Sequence, residues 1–324
     1  MSTPVERPTE KSARSPARSF RVDVAGVSLS HPDRVLFPDV GVTKLGLARY
    51  YESIADWIVP HVIDRPLTLV RCPNGLGARS TAEQPACFYM KHSKVWAPPA
   101  LRRVRIPELR KIGEYLIADS VAAVVGLVQM DVLEIHTWNS RFARIERPDR
   151  IVIDLDPGDG VAWADVVTAA KTVRALFEAL DLACFAKTTG GRGLHIVVPI
   201  TPRADWTECL AFARGCALAL VRAHPDTFTE RFARRGRERK ILVDYLRNNR
   251  TNTSIAAYST RARTGAPISV PIAWSELTAT TTPDRFTIVT VPRRLSKLRR
   301  DPWKAYAATR QTIPRGAVRA LASL

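Results

Sequence analysis

Between Thr43 and Trp57 the apolar residues Leu45, Leu47, Ala48, Tyr51, Ile54 and Ala55 recur at the spacing of one helix face, with Thr43 placed to cap it. Upstream, Phe20 to Val24 alternates, which predicts a strand that turns at Gly26. Pro66 precedes a short strand, Leu67 to Val70, and Asn74 to Gly77 connects it to Phe88-Tyr89. Ile112 to Met130 mixes strand-like alternation with small residues at helical spacing, and Val132 to His136 reads as a strand. The second half is clearer. An apolar run over 151–156 is followed by a helix from Trp163 to Leu180, whose face is Val166, Val167, Ala170, Val173, Leu176, Phe177 and Leu180. Residues 182–187 and 194–200 flank a glycine turn as a hairpin, then come a helix over Trp206 to Ala223 and a strand over 241–245. That order predicts an α+β module around a mostly antiparallel sheet. Residues 1–20 have the composition of a disordered basic tail, and Pro292 to Trp303 that of a surface segment or basic arm.

Charge narrows the partner. The 324 residues carry 49 Lys and Arg against 31 Asp and Glu, a formal +18, so a polyanion, nucleic acid first, is the expected partner. The five cysteines, Cys72, Cys87, Cys184, Cys209 and Cys216, include no Cys-x-x-Cys pair, which reads as a reducing compartment without a disulfide framework. Cys72, Cys87 and His92 are loosely spaced candidates for one zinc, with plain thiols the better reading. The longest apolar stretch, Val121 to Met130, is too short to span a bilayer, and no export signal is evident, so a cytoplasmic, nucleoid-associated protein is expected.

Three acids carry the candidate chemistry. Asp154 and Asp156 stand two apart in the run Ile151-Val152-Ile153-Asp154-Leu155-Asp156-Pro157, so both side chains point to one face of a strand. Paired acids in apolar surroundings call for a cation. Asp244 closes a second apolar run. Between them, Thr188-Thr189-Gly190-Gly191-Arg192-Gly193-Leu194-His195 offers a hydroxyl from Thr189, a guanidinium fork from Arg192 and the His195 ring around a glycine turn. It is neither a P-loop nor a dinucleotide fingerprint. Carboxylates for a divalent metal beside a phosphate-binding loop point to phosphoryl or nucleotidyl transfer.

These motifs resemble those of archaeo-eukaryotic primases: Asp-Leu-Asp-Pro, the Thr-Gly-Gly-Arg-Gly-Leu-His loop, and an apolar strand ending Asp-Tyr. The chain looks like the polymerase domain of bacterial ligase D from about His31 to Trp303, including His31-Pro32-Asp33-Arg34, Glu134-Ile135-His136 and Ala257-Tyr258-Ser259-Thr260-Arg261. The resemblance implies a primase-polymerase core with an RRM-like, mostly antiparallel sheet and an N-terminal α/β module. It implies Asp154, Asp156 and Asp244 as ligands of a two-metal Mn²⁺ or Mg²⁺ site, and Thr189, Arg192, His195 and Arg261 on the triphosphate of an NTP or dNTP. His136 would lie near the sugar 2′-hydroxyl, Arg34 and Lys44 on a downstream DNA 5′-phosphate, and Phe88 and Tyr89 against bases. The loop differs from the commoner family pattern in having Thr189 and Arg192 for Ser and Lys, and the segments Leu76 to Cys87 and Arg234 to Lys240 look longer.

No Lys-x-Asp-Gly adenylation motif occurs, so the resemblance is to stand-alone primase-polymerases, including those associated with ligase C, with a separate ATP-dependent ligase as partner. The expected division is a tail over 1–20, a catalytic domain over 21–310 (modules 21–145 and 146–290) and a C-terminal tail over 311–324. The expected activity is nucleotide addition, ribonucleotides preferred, at short 5′-phosphorylated gaps. A metal-dependent nuclease and a non-catalytic DNA end-bridging protein are the alternatives.

Overall fold

A computed structural model describes residues 20–79, 86–93, 96–233 and 235–323. The expected tail, apart from Phe20, lies outside them, as do residues 80–85 of the lengthened connection and Arg234 of the basic lead-in. The predicted first hairpin forms as β1 (Arg21–Val24) and β2 (Val27–Ser30). A small ribbon, β3 (Val35–Phe37) and β4 (Val42–Thr43), leads into α1 (Lys44–Ser53), where the Thr43 hydroxyl accepts from the Gly46 amide at 3.1 Å. The helix breaks after one apolar face: the Ser53 hydroxyl donates back to the Tyr50 carbonyl, and the chain restarts as α2 (Ala55–Val62).

Two sheets follow. The first has the order β15-β9-β5-β6, from β5 (Leu67–Arg71), β6 (Phe88–Met90), β9 (Val132–Thr137) and β15 (Ser254–Ile255). The expected modules 21–145 and 146–290 therefore share a sheet, because β15 comes from the second. The ambiguous stretch 112–130 resolves into β8 (Ile112–Ile117), paired with β7 (Arg102–Pro107), and α3 (Val121–Gln129).

The second sheet has the order β13-β14-β10-β12-β11-β16, antiparallel except for β13 and β14. Its strands are β10 (Arg150–Pro157), β11 (Phe185–Thr188), β12 (Leu194–Pro199), β13 (Phe228–Thr229), β14 (Ile241–Asp244) and β16 (Pro271–Ile272). Helices α4 (Trp163–Ala179) and α5 (Trp206–Ala223) pack on one face, against Ile151, Ile153 and Leu155 of β10. The strand alternation therefore turns Val152, Asp154 and Asp156 to the other face. The predicted α+β class and mostly antiparallel sheet are borne out.

Three expectations need correction. Pro292 to Trp303 is not a basic arm. Its first part belongs to α6 (Thr290–Lys297), which buries Val291 and Leu295, and Trp303 lies under the sheet against Val152 and Val197, donating its indole N–H to the Ala186 carbonyl. The described part of the expected C-terminal tail, 311–323, is tied down too: Gln311 donates to the Ala183 and Pro199 carbonyls, and α7 (Ala317–Ser323) lays Leu321 on α5. The third concerns thiols. Cys72 and Cys87 form a disulfide, and His92 is bonded to Glu108, so no zinc trio exists there. The hairpin register explains the pairing: Arg71 faces Phe88, so the next residues outward, 15 apart in sequence, face each other. Cys184, Cys209 and Cys216 are free and buried. Among the described residues no helix is long and apolar enough to cross a membrane.

His61 on α2 gives this core a pH signature. Burial, with the Arg150 and Arg65 charges nearby, lowers its imidazole from 6.5 to about 3. Below pH 6.5 the unfolded chain therefore binds a proton that the folded chain refuses until about pH 3, so stability falls as pH falls across that window. Denaturant midpoints should drop from pH 6.5 toward 4, and the drop should shrink in His61→Phe. An equal drop in the variant would remove His61 as its source.

Candidate active site

Register brings the polar residues into a row. Asp154 on β10 faces Asp244 on β14 on one side and His195 on β12 on the other, and His195 in turn faces Lys187 on β11. Two carboxylates directly opposite each other repel, and the surrounding groups compensate. Arg247 brings Nε and Nη2 to 3.1 Å from Asp154 Oδ2, and its Nε lies 3.3 Å from Asp244 Oδ2. Burial alone would raise the Asp154 carboxyl, but His195, Arg247 and Lys187 hold it below the ordinary carboxylate range. Asp244 is raised, by burial first and also by Asp154, with Arg247 opposing. Asp156, half exposed further along β10, pairs with Arg237 at 2.8 Å.

The other half of the row is a buried base pair of a different kind. Burial, with the Lys187 charge, lowers His195 to about 4, so the ring is neutral at pH 7. Its Nε2, 3.3 Å from ionised Asp154, is the donor, which leaves Nδ1 an acceptor without a partner. Lys187 is pushed well below the usual lysine range, by burial first and then by Arg150, and its ammonium donates to the Ile255 carbonyl and Ser269 hydroxyl. That bond to β15 joins the two sheets behind the row.

The glycine loop sits over this row because two of its glycines permit it. Gly190 takes φ +67°, and a Cβ at Gly193 would fall 2.5 Å from the Leu155 carbonyl. The three polar residues expected to act together divide their tasks. The Thr189 hydroxyl staples the loop, donating to the Gly193 carbonyl and accepting from the Gly191 amide. Arg192 donates to the Pro157 and Gly158 carbonyls, tying the loop to the turn after the Asp154 strand. Only His195 reaches the acids. Arg261 braces the loop from the other side, donating to the Thr189 carbonyl at 2.7 Å.

Opposite stands the first sheet. Glu134 accepts from the His136 ring at 2.7 Å and the Ala262 amide at 2.9 Å, and lies 3.0 Å from Arg261 Nε. Burial would raise this carboxyl, yet His136 and Arg261 bring it down to about 2. Burial lowers the His136 ring despite that partner. A cavity of about 410 Å³ opens between the sheets, reached by Asp154, Asp156, Thr189, Arg192, His195, His136 and Arg261. Tyr89 lies at its rim, 71% exposed and edge-on to His136, whereas Phe88 turns away under the Arg71 guanidinium. Asp244 stands beside Asp154 across the strand pair and does not itself line this cavity.

Arg34 and Lys44 lie apart from this cavity, and Lys44 is not presented to solvent. It is 1% exposed, with its ammonium 2.9 Å from Asp131 and donating to the Gln129 carbonyl, and Arg34 meets the same Asp131 at 3.1 Å. Sequence reasoning passed over Arg247, Arg237, Lys187 and Glu134. Arg247, three residues after Asp244, was the most accessible, since a short turn there would return its side chain to the acid.

No three Asp, Glu, His or Cys side chains among the described residues already form a metal cage. The donor set nevertheless fits a divalent ion: three carboxylates share one sheet face, two of them opposed, and each now rests on an arginine that a metal would displace.

Comparison with known proteins places these residues in context. A family model described as LigD, primase-polymerase domain matches residues 43–303. The chain is 37% identical over 315 residues to the multifunctional non-homologous end joining protein LigD of Pseudomonas aeruginosa, covering 94% of this chain and 36% of that protein. The Mycobacterium tuberculosis LigD is 33% identical over 261 residues, covering 78% and 33%. The chain thus spans about a third of the length of these curated relatives. The solved polymerase domain of M. tuberculosis ligase D in complex with DNA matches with a TM-score of 0.78 at 29% identity, covering 87% of this chain and 98% of that one.

Proposed function

The chain belongs to the LigD primase-polymerase domain family, and from that premise we propose that it is a DNA-directed nucleotidyltransferase. The 3′-hydroxyl of a primer attacks the α-phosphate of a nucleoside triphosphate, and pyrophosphate leaves. The observation that carries this reading is the row Asp244, Asp154, His195 and Lys187 beside a cavity walled by the glycine loop. Asp154, Asp156 and Asp244 would hold Mg²⁺ or Mn²⁺, which when bound supplies Lewis-acid stabilisation at the hydroxyl and triphosphate oxygens.

The remaining chemistry belongs to the chain. Arg261, Arg192 and Arg263 on the cavity wall give the triphosphate its countercharge. His136, oriented by Glu134, meets the sugar 2′-hydroxyl, which favours ribonucleotides. Tyr89 offers its exposed ring to a base. Arg34 receives a downstream 5′-phosphate in competition with Asp131, and Lys44 supports that carboxylate from within. The setting is the one for which the relatives are named, non-homologous end joining: short gaps are filled at a break, and a separate ATP-dependent ligase seals them.

Primer extension on a short 5′-phosphorylated gap, with ribo- and deoxyribonucleotides in Mg²⁺ and Mn²⁺, tests this. The expected outcome is addition of a few nucleotides, ribonucleotides faster. Absence of extension with either metal overturns the reading. Shortening of the labelled strand without nucleotides would establish a nuclease, and binding without synthesis an end-bridging protein.

A further inference from the structure

A second cavity, about 670 Å³ and larger than the catalytic one, opens between α2, the segment after β9 and the stretch following α6. Six cations line it against three acids, Asp56, Asp149 and Asp301. Asp149 is already engaged, accepting from both terminal nitrogens of Arg65 at 2.8 and 2.6 Å. Among the described residues Arg147 and Arg310 donate only to backbone carbonyls, so no carboxylate there balances their charges. Arg144 and Lys304 are exposed, and their side chains have no partner among the described residues. Behind these cations stands an aromatic wall. Tyr306 and Trp57 are half-buried, and Tyr306 stacks on Trp303 at 4.8 Å, with His61 edge-on to Trp303 and tilted against Tyr306.

Unbalanced guanidinium and ammonium groups around flat rings form a receptor for phosphodiesters with bases that stack. Position adds to chemistry. Trp303 packs on Val152 and Val197, which share the sheet face of Asp154 and His195. Asp149, on the cavity wall, precedes Asp154 by five residues of nearly continuous strand, roughly 17 Å at strand rise. At about 3.4 Å per nucleotide for a strand that keeps its duplex stacking, that is at most about five nucleotides, and fewer for an extended strand.

We propose that this cavity is a subsite for unpaired single-stranded DNA, the part of the substrate that runs on past the reacting end. The proposal rests on the nucleotidyl-transfer reading for its substrate, but its test does not depend on catalysis. The double variant R144Q/K304Q and wild type are titrated by fluorescence anisotropy over a salt series. One DNA is a gapped duplex whose template strand carries an unpaired extension longer than that span, and the other is the same duplex without it. The variant should bind the extended DNA several-fold more weakly, with the salt slope reduced by about 1.4, roughly 0.7 for each lost phosphate contact on a single strand. Both proteins should bind the shorter DNA alike and extend its primer at the same rate. An unchanged slope on extended DNA overturns the subsite, and so does an equal loss on both DNAs, which would reflect general charge. Failure of synthesis by wild type would count against the polymerase reading alone, because the anisotropy difference still decides the subsite.

Discussion

Replacing Asp156 by alanine will lower primer extension by about a thousandfold or more while leaving DNA affinity nearly unchanged. The rate effect follows from the proposed metal chemistry: loss of roughly 4 kcal/mol of transition-state stabilisation is about three factors of ten. The effect on the fold follows from the surroundings. Asp156 is half exposed, so its own removal costs little, but its ion-pair partner among the described residues, Arg237, is largely buried and loses its carboxylate, a cost that thermal melting reads separately from the rate. Asp154 is the poorer probe, because Arg247 and His195 both depend on it and its loss would disturb the row itself. Single-turnover extension with saturating nucleotide, together with gel shifts on gapped DNA, separates the effects. Extension by Asp156→Ala within tenfold of wild type would remove the carboxylates from the chemistry.

What could be read from the sequence depended on how local each signal was. Asp154 and Asp156 were legible because strand alternation alone puts them on one face, and both line the same cavity. Asp244 joined them through resemblance, and only the register shows it opposite Asp154. Lys187 gave no signal: a lysine next to a turn looks like a solvated strand residue, and its burial is fixed by pairing with β12 and by a carbonyl 68 residues away. Arg247 lies just past the strand ending Asp-Tyr yet had no assigned task, since its reach depends on the turn over Leu246–Asn248. There the Asn248 amide bonds both the Val152 amide and carbonyl, completing the edge of β10 as a strand would. The cysteine pair was missed because spacing says nothing about hairpin register. Lys44 took its assignment from the resemblance alone, and no local signal announces that Asp131, 87 residues on, draws its ammonium inward.

The largest effect outside the metal ligands should come from Glu134. Its carboxylate alone connects the His136 ring to Arg261, and through Arg261 the far wall of the glycine loop. Glu134→Ala leaves a buried guanidinium unpaired, a loss of about 3–5 kcal/mol of stability. Glu134→Gln keeps the shape and an acceptor for the Ala262 amide but loses the charge that faces Arg261. It should remain folded and raise KM for the nucleoside triphosphate at least about tenfold, in the range of lost supporting contacts, with a smaller change in kcat. The acid behaviour supplies an independent check. The folded carboxyl lies at about 2 against an ordinary 4.5, so its contribution is full above pH 4.5 and is lost as pH falls toward 2. The stability gap between wild type and Glu134→Gln should therefore close across that window while the His61 effect, common to both, cancels. A gap that stays constant down to pH 2.5, or a KM unchanged in the glutamine variant, would show that Glu134 is packing and not the brace of the nucleotide wall.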